Sequence, residues 1–361
     1  MVAEKRKGDE IEYVKKAATQ AVLLVVGIAM LCFGVWRGEA AMVLSKAIKF
    51  VWSVWALDKK FSGASQFLSR FRGWIQAGAT LLTNLHLPNF LKGGLYQGAG
   101  KTVCVPGLNC YSCPAASGAC PIGAFQAVVG SSKFSFSYYI TGFLILLGVL
   151  LGRFICGFLC PFGWFQELLH KIPTKKLSTK KLKPLTYLKY AVLLVMVFLL
   201  PAFLVNDVGM GDPFFCKYLC PQGVLEGAIP LSLANSGIRA ALGKLFTWKF
   251  SILLSVIVLS VLFYRPFCKW LCPLGAFYAL FNRVSLFQMK VDKSKCVSCG
   301  KCARACKMDV DVTKTPNHTE CIRCGMCIRA CPTNAVCFRY GFGDGKEKEN
   351  AATLRENNNK A

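Results

Sequence analysis

Two cysteine runs near the C-terminus share one spacing, C-x2-C-x2-C-x3-C: CVSCGKCARAC (296–306) and CIRCGMCIRAC (321–331). Three closely spaced thiolates can bind three irons of one 4Fe-4S cubane, while the fourth cysteine of each run binds the neighbouring cluster. Zinc ribbons would instead favour cysteines in two separate pairs. The spacing therefore predicts two 4Fe-4S clusters, one held by Cys296, Cys299, Cys302 and Cys331 and the other by Cys321, Cys324, Cys327 and Cys306.

Single residues inside the two runs also bear on cluster binding. Gly300 and Gly325 occupy the same place in each run, where a missing side chain lets the backbone approach a cluster closely. Lys307 follows the fourth cysteine of the first run, where the pattern expects proline. This departure raises a question about the local turn more than about the ligation.

A second pattern, C-x3-C-P-x-G, occurs three times, at 156–163, 216–223 and 268–275, and half of it recurs in ACPIGA at 119–124. On a helical turn, thiols at positions i and i+4 lie on one face, close enough to share a cluster. The proline is expected to end backbone donation and the glycine to let the chain turn away. Cysteines packed as small apolar residues in a helix bundle are the alternative, but packing alone does not require a shared signature.

Long apolar segments must hold these motifs, and a helix needs about 20 apolar residues to cross a bilayer. Nearly charge-free runs occupy 17–36, 134–152, 190–206 and 250–264, and a fifth at 73–91 contains Asn84, His86 and Pro88. Residues 37–57 are amphipathic and either lie on the membrane surface or cross it. We expect an α-helical integral membrane protein with about five to six transmembrane helices and a C-terminal α+β ferredoxin domain of the bacterial 2[4Fe-4S] type.

The composition supports such a mixed architecture, because 54% hydrophobic residues are too many for a soluble domain and too few for membrane helices alone. The expected organisation is an N-terminal membrane helix and amphipathic segment at 1–65, a polytopic membrane core with the C-P-x-G repeats at 66–285, the ferredoxin domain at 286–342 and a disordered polar tail at 343–361.

The formal charge of +26 could indicate a nucleic-acid partner, but its distribution argues against one. Many lysines crowd one short loop between two apolar runs, a pattern that holds a loop on the cytoplasmic side of a membrane. These are Lys171, Lys175, Lys176, Lys180, Lys181, Lys183 and Lys189.

This lysine-rich loop determines which cysteines are expected to share a side of the membrane. With the loop in the cytoplasm, two of the C-x3-C pairs end there together; we name them the inner set, Cys156, Cys160, Cys268 and Cys272. The outer set is expected on the opposite side and comprises Cys104, Cys110, Cys113, Cys120, Cys216 and Cys220. Within the outer set, the candidates for a metal site are Cys113, Cys120, Cys216 and Cys220. Disulfides are the alternative there, because the outer face is oxidising.

Other redox cofactors have little support in the sequence. A haem held by two histidines would have to use His86, His170 or His318, the three histidines of the chain. A Rossmann fingerprint or phosphate-binding loop for a nicotinamide or flavin is absent. Electrons are therefore expected to come from a partner.

The membrane-edge C-x3-C-P pairs and the double-cluster ferredoxin runs resemble a known family. They look like the membrane polyferredoxins found with nitrous-oxide and periplasmic nitrate reduction systems, of the quinol-dehydrogenase type, and like the iron–sulfur proteins of cytochrome-oxidase assembly. The resemblance covers roughly 66–340. It implies that the inner set corresponds to the family's C-x3-C-P motifs and that the eight cysteines of 296–331 are its ferredoxin ligands. The outer set departs from the simplest members and suggests a conduit to the far side.

Together these patterns predict an electron-transfer protein of the prokaryotic cytoplasmic membrane, with no bond made or broken by a side chain. A cytoplasmic ferredoxin domain would exchange electrons with a soluble donor or acceptor. One or two further clusters at the membrane-edge cysteines would pass electrons to or from a quinone or a separate outer-face protein such as a flavoprotein. The alternative is an assembly factor whose clusters reduce a metal or a disulfide in a client enzyme.

Overall fold

The structure is a computed structural model and describes residues 61–131, 137–207 and 209–341. The predicted first membrane helix at 17–36, the amphipathic segment at 37–57 and the polar tail from 343 lie outside the described residues.

Helix α1 (Phe61–Thr83) has 23 residues, which extend over about 35 Å at 1.5 Å per residue. At its beginning, Ser65 Oγ accepts a hydrogen bond from the Phe338 backbone N–H in the ferredoxin domain, at 3.0 Å. At its end, the Thr83 carbonyl accepts from Asn109 Nδ2 at 3.2 Å. The helix therefore links the ferredoxin domain to the loop that carries the first cysteines of the outer set.

Mostly short helices follow α1 in the core. They are α2 (Asn89–Lys92), α3 (Pro121–Gly130), α4 (Tyr138–Leu151), α5 (Phe154–Phe158), α6 (Pro161–His170), α7 (Leu188–Val192), α8 (Leu200–Phe203), α9 (Ile229–Ala234), α10 (Ser236–Ala240), α11 (Lys244–Leu262), α12 (Pro266–Trp270) and α13 (Pro273–Phe281). Helical turns of the 3-10 type lie at Ala99–Thr102 and Lys180–Tyr187, and π-helical segments at Leu193–Leu199, Phe215–Leu219 and Gly223–Ala228.

One apolar core continues from these helices into the ferredoxin domain, and its buried side chains include Ile122, Phe125, Phe162, Phe267, Met308 and Ile322. The domain contains β1 (Phe287–Val291), α14 (Lys301–Ala305), α15 (Met326–Ala330) and β2 (Val336–Tyr340). The two strands pair antiparallel, with Phe287 opposite Tyr340 and Val291 opposite Val336.

Each C-P-x-G motif begins a helix, and this corrects the prediction that the chain turns away there. A short helical turn at the first cysteine does end at the second, as in α5 before Cys160. Cys160 is then extended (φ −86°, ψ 116°), and Pro161 begins α6. Proline is favoured at the first helical position because its missing N–H has no partner there anyway. The same arrangement places Cys120 before α3 and Cys272 before α13.

Two helical segments among the described residues are long and apolar enough to cross a bilayer: Lys180–Phe203, with 24 residues, and α11, with 19. The predicted number, about five to six, is not confirmed. Within the described part of the run at 134–152, from 137 onward, α4 has 14 residues and a length of about 21 Å, against a hydrocarbon core of about 30 Å. In the run at 73–91, α1 ends at Thr83.

The two ferredoxin runs form matching backbone loops. Left-handed residues recur at equivalent places, as Gly300 (φ 69°) and Gly325 (φ 76°) and as Asp309 (φ 57°) and Asn334 (φ 53°). The turn after Cys306 thus has the same form as the turn after Cys331, although Lys307 replaces the expected proline. The lysine is accommodated because the left-handed residue two positions later makes the turn.

Buried ion pairs fasten the ferredoxin domain to the core. Glu320 accepts from Arg153 Nη1 at 3.0 Å and from Lys189 Nζ at 2.5 Å, and both cationic side chains are fully buried. Lys269, between two cysteines of the inner set, pairs with Asp309 at 2.9 Å. The carboxylates come from the ferredoxin domain and the cations from the core, so the two docking surfaces are complementary in charge.

Replacing Glu320 with glutamine should destabilise the protein by about 3–5 kcal/mol, because two buried cations lose their counter-ion. The melting temperature of the purified chain measures the effect. Asp212→Asn is the matched control, since its pair with Lys217 is much more exposed and should contribute little. Equal melting temperatures for Glu320→Gln and wild type would contradict the role of this pair.

Candidate functional site

The ferredoxin thiols fall into two groups. In one, Cys306 lies with Cys321, Cys324 and Cys327. Burial raises the pKa of Cys321 to about 11, with a further contribution from the neighbouring Cys324 thiol. In the other group, Cys302 lies near Cys331, which accepts a hydrogen bond from the Ala335 N–H at 3.3 Å. The structure thus brings Cys306 across to the second run and Cys331 across to the first; the ligand assignment itself stays a prediction.

The two groups differ in their access to solvent. Cys299 of the first run is exposed and Cys296 is half-buried, and Val297 between them is 64% exposed. The second run faces the core, where the carbonyl oxygen of Ile322 lies against Gly157, the residue that follows Cys156 of the inner set. A soluble partner can therefore approach the first run, while the second run is placed to contact the inner set.

The inner set is a buried constellation of four thiols. Cys156, Cys160, Cys268 and Cys272 are each 6–8% exposed. Burial raises the pKa of Cys160 to about 12, and the neighbouring Cys268 and Cys156 thiols add to the rise. Gln166 Nε2 donates to Cys268 Sγ at 3.1 Å, and the Gly275 N–H donates to Cys272 Sγ at 3.3 Å. These N–H donors and the beginnings of α6 and α13 favour negative charge on the sulfurs.

Two buried arginines cross over the inner set. Arg265 Nη1 donates to the Cys156 carbonyl at 2.5 Å, and Arg153 Nη2 donates to the Cys268 carbonyl at 3.4 Å. Each arginine therefore contacts the C-x3-C motif that follows the other arginine in the sequence. Gly163 of the C-P-x-G motif leaves room for this, since a Cβ there would lie 2.9 Å from Arg265 Nη1. Among the described residues, Arg265 Nη2 and Arg153 Nε lack a hydrogen-bond partner.

The inner set therefore fits an anionic thiolate-ligated cluster: four buried thiols, sulfur-directed N–H groups and two cations with spare donors. In the described ranges no three His, Cys, Asp or Glu side chains are close enough to hold a single metal ion. A cubane separates its thiolates further than a single ion does, because irons and sulfides lie between them.

Within the outer set, Cys120, Cys216 and Cys220 come together with Cys110. Gln126 Nε2 donates to Cys216 Sγ at 3.2 Å. The Cys113 thiol lies 3.6 Å from Asn84 Oδ1 and forms an apolar cluster with Ala115 and Ala116, against which Cys110 also packs. The structure thus brings together three of the four predicted outer residues and places the fourth, Cys113, elsewhere. Cysteines in the described ranges are free of disulfides.

The loop before the outer cysteine Cys110 contacts the inner set, and the predicted separation of the two sets by a membrane is not confirmed. A Cβ on Gly107 would lie 2.8 Å from Cys160 Cα. The backbone N–H of Leu108 lies near the Cys160 thiol and that of the next residue, Asn109, near the Cys120 thiol, and each opposes the rise in pKa that burial causes. The chain leaves Cys120 through α3, α3 packs on α4, and α4 leads to Cys156.

Sequence reasoning missed four side chains that shape these sites: Gln126, Gln166, Arg153 and Arg265. A signal for each was present. Each glutamine stands six residues after the cysteine of a C-P-x-G motif, and each arginine stands three residues before the first cysteine of an inner C-x3-C pair.

Comparison with family models identifies the chemistry. Two models, each described as a 4Fe-4S binding domain, match the chain. One matches 118–138, 135–180, 189–229 and 246–294, which contain the inner set and three cysteines of the outer set. The other matches 289–310 and 315–337, which contain the two ferredoxin runs.

Relatives agree with these matches. The protein MJ0750 of Methanocaldococcus jannaschii is 32% identical over 209 residues, covering 55% of this chain and 77% of that protein. MJ0749 of the same organism is 29% identical over 184 residues, 49% of this chain and 60% of that protein. The putative electron transport protein YccM of Escherichia coli K12 is 26% identical over 180 residues, 47% of this chain and 45% of that protein. The chain thus spans less than two thirds of the latter two, and no solved structure matches it.

The motifs, the buried thiol sites and the family matches agree: the chain belongs to the 4Fe-4S polyferredoxin family and binds 4Fe-4S clusters, two of them in the ferredoxin domain.

Proposed function

We propose that this electron-transfer protein carries electrons between a soluble partner at the ferredoxin domain and a quinone or an outer-face redox protein reached through the membrane-edge cysteine sets. When bound, 4Fe-4S clusters supply one-electron carriers. The chain's own residues bury these carriers, orient them and bring them near one another.

The single observation that supports this route is the order of the sites along α1. Gly325 of the second ferredoxin run lies against Ser69. One helical turn later, Arg72 Nε donates at 2.9 Å to the carbonyl of Gly157, the residue that follows Cys156 of the inner set. At the end of α1, Asn84 contacts the outer loop through Asn109 Nδ2 at 3.3 Å. A stack of adjacent sites along one helix suits relay of electrons better than independent catalysis.

The surface around the exposed first ferredoxin run supports docking of an acidic soluble electron carrier. Exposed lysines flank Cys299 in the sequence, namely Lys293, Lys295 and Lys301. Complementary charge speeds encounter and orients a partner more than it tightens binding. An acidic ferredoxin or flavodoxin would therefore approach with its redox group toward Cys299.

Membrane attachment is supported by the two long apolar helical segments, which expose large apolar side chains on their outward faces. Exposed side chains include Leu194, Leu199 and Phe203 in Lys180–Phe203 and Trp248, Leu254 and Val258 in α11. Exposed apolar patches of this size mark contact with lipid or protein. The lysine-rich loop before the first segment favours a cytoplasmic position for the ferredoxin domain.

The proposal is tested by multiple turnover with anaerobically purified full-length protein. A reduced soluble ferredoxin is the donor and a water-soluble menaquinone analogue the acceptor, followed by visible absorbance. We expect continuous turnover that Cys156→Ala abolishes while the first ferredoxin run is still reduced. Turnover that persists in Cys156→Ala would contradict the route. Reduction that stops after one turnover, and resumes only with a client enzyme, would favour an assembly factor.

A further inference from the structure

The inner and outer sets repeat one local design. Both contain the sequence C-P-x-G-x-F-Q, at 160–166 and at 120–126. In the inner set, Gln166 Oε1 accepts from the Phe267 N–H at 3.2 Å, while its Nε2 donates to Cys268 Sγ at 3.1 Å. In the outer set, Gln126 Oε1 accepts from the Phe215 N–H at 2.9 Å, while its Nε2 donates to Cys216 Sγ at 3.2 Å.

Each glutamine thus joins one C-P-x-G helix to the first cysteine of a C-x3-C pair from a distant part of the chain. Gln166 joins Cys160 to Cys268 and Cys272, and Gln126 joins Cys120 to Cys216 and Cys220. Two fully buried amides in the same double contact show that the outer set is assembled like the inner set.

The outer copy departs from the repeat at one ligand position. In the inner set the fourth thiol is Cys156, four residues before Cys160; the matching position before Cys120 is Ala116. The chain around Ala116 lacks the short helix α5 that carries Cys156. The outer set must therefore draw its fourth thiol from elsewhere.

Cys110 occupies that place. Its Sγ lies 3.8 Å from the position of a Cβ on Gly223, the glycine of the Cys220 motif, and Cys216 Sγ lies 3.6 Å from the same position on Gly123, the glycine of the Cys120 motif. Each of these thiols therefore lies beside the glycine of a C-P-x-G motif from another part of the site. Burial raises the pKa of Cys110 to about 12, and the Cys120 thiol adds to the rise.

The buried charges around this site also differ from those of the inner set. Glu226 Oε2 accepts from the Cys110 N–H at 3.1 Å, and Lys249 Nζ donates to the Cys216 carbonyl at 3.0 Å. At the inner set two arginines also pair with partly buried carboxylates, so charges of both signs lie beside each site, carried by different residue types.

We propose that Cys110, Cys120, Cys216 and Cys220 form a second four-thiol site for a 4Fe-4S cluster, built as a copy of the inner site, with Cys110 in place of the missing cysteine at 116. The peptide Leu108–Asn109 then lies between the two sites, with one backbone N–H near each. The inference rests on the proposed function only in that both sites bind the same kind of cluster.

Iron and acid-labile sulfide per chain, measured on anaerobically purified full-length variants, test this site. Cys110→Ala should lose about four irons relative to wild type, whereas the matched variant Cys113→Ala should lose none. Loss in Cys113→Ala alone, equal loss in both, or loss in neither would overturn the assignment of Cys110.

Two further measurements separate a lost site from a misfolded chain and from a failed function. Cys110→Ala should keep the electron paramagnetic resonance signals of the inner set, and Cys272→Ala should keep those of the outer set. Gln126→Leu should alter only the outer signals and Gln166→Leu only the inner ones. Iron loss in Cys272→Ala with none in Cys110→Ala would reject the outer site and leave the proposed function intact; mixed signal changes in the glutamine variants would reject the repeated design.

Discussion

Cys324→Ala is expected to remove about one cluster, roughly four irons per chain, and to stop electrons from a soluble donor at the first ferredoxin run. Cys324 is the middle cysteine of the run that faces the core, and it packs against the same apolar cluster as Cys156 and Ile322. Without this thiolate, one iron of the second-run cluster would lose its protein ligand. That cluster is the expected carrier between the exposed first run and the inner set. Iron analysis and donor-driven reduction of the inner set measure the two effects.

Cys337→Ala is the matched control, because Cys337 is a partly buried cysteine of β2 that lies outside both runs. Its iron content and reduction kinetics should equal those of wild type. If Cys324→Ala retained full iron, the assignment of the second ferredoxin cluster would have to be abandoned.

Gly157→Ala should separate the ferredoxin domain from the inner set without removing any ligand. A Cβ at this position would collide with the carbonyl oxygen of Ile322, a backbone atom that cannot rotate away. Overpacking of this kind costs about 1–3 kcal/mol, and relief requires the docked loop to move outward. We expect slower electron transfer from the ferredoxin domain to the inner set at unchanged iron content, measured by stopped-flow absorbance.

Gly78→Ala controls for the substitution itself, because a Cβ on this residue of α1 meets no atom within 4 Å. In a helix interior, alanine should stabilise by about 0.5–1 kcal/mol relative to glycine, with electron transfer unchanged. Equal transfer rates in Gly157→Ala and wild type would show that the contact at Ile322 does not set the distance between the two sites.

The sequence by itself determined the chemistry. Ligand spacing within a run is a local property, so C-x2-C-x2-C-x3-C and C-x3-C-P-x-G indicate 4Fe-4S binding however the rest of the chain folds. The family matches cover those same stretches. Lys307 shows the limit of such local rules, since an unexpected residue left the turn unchanged.

Tertiary structure alone decided which motifs meet. Whether Cys113 or Cys110 joins Cys216 depends on a loop conformation held by Asn84, Asn109 and Glu226, three residues from separate segments of the chain. Hydropathy could not show that the backbone at Gly107 lies against Cys160, because apolar composition measures neither helix length nor packing, and α4 has 14 residues. Side chains that act at a distance, such as the crossing arginines Arg153 and Arg265, acquire their partners only once the fold brings two C-x3-C motifs together.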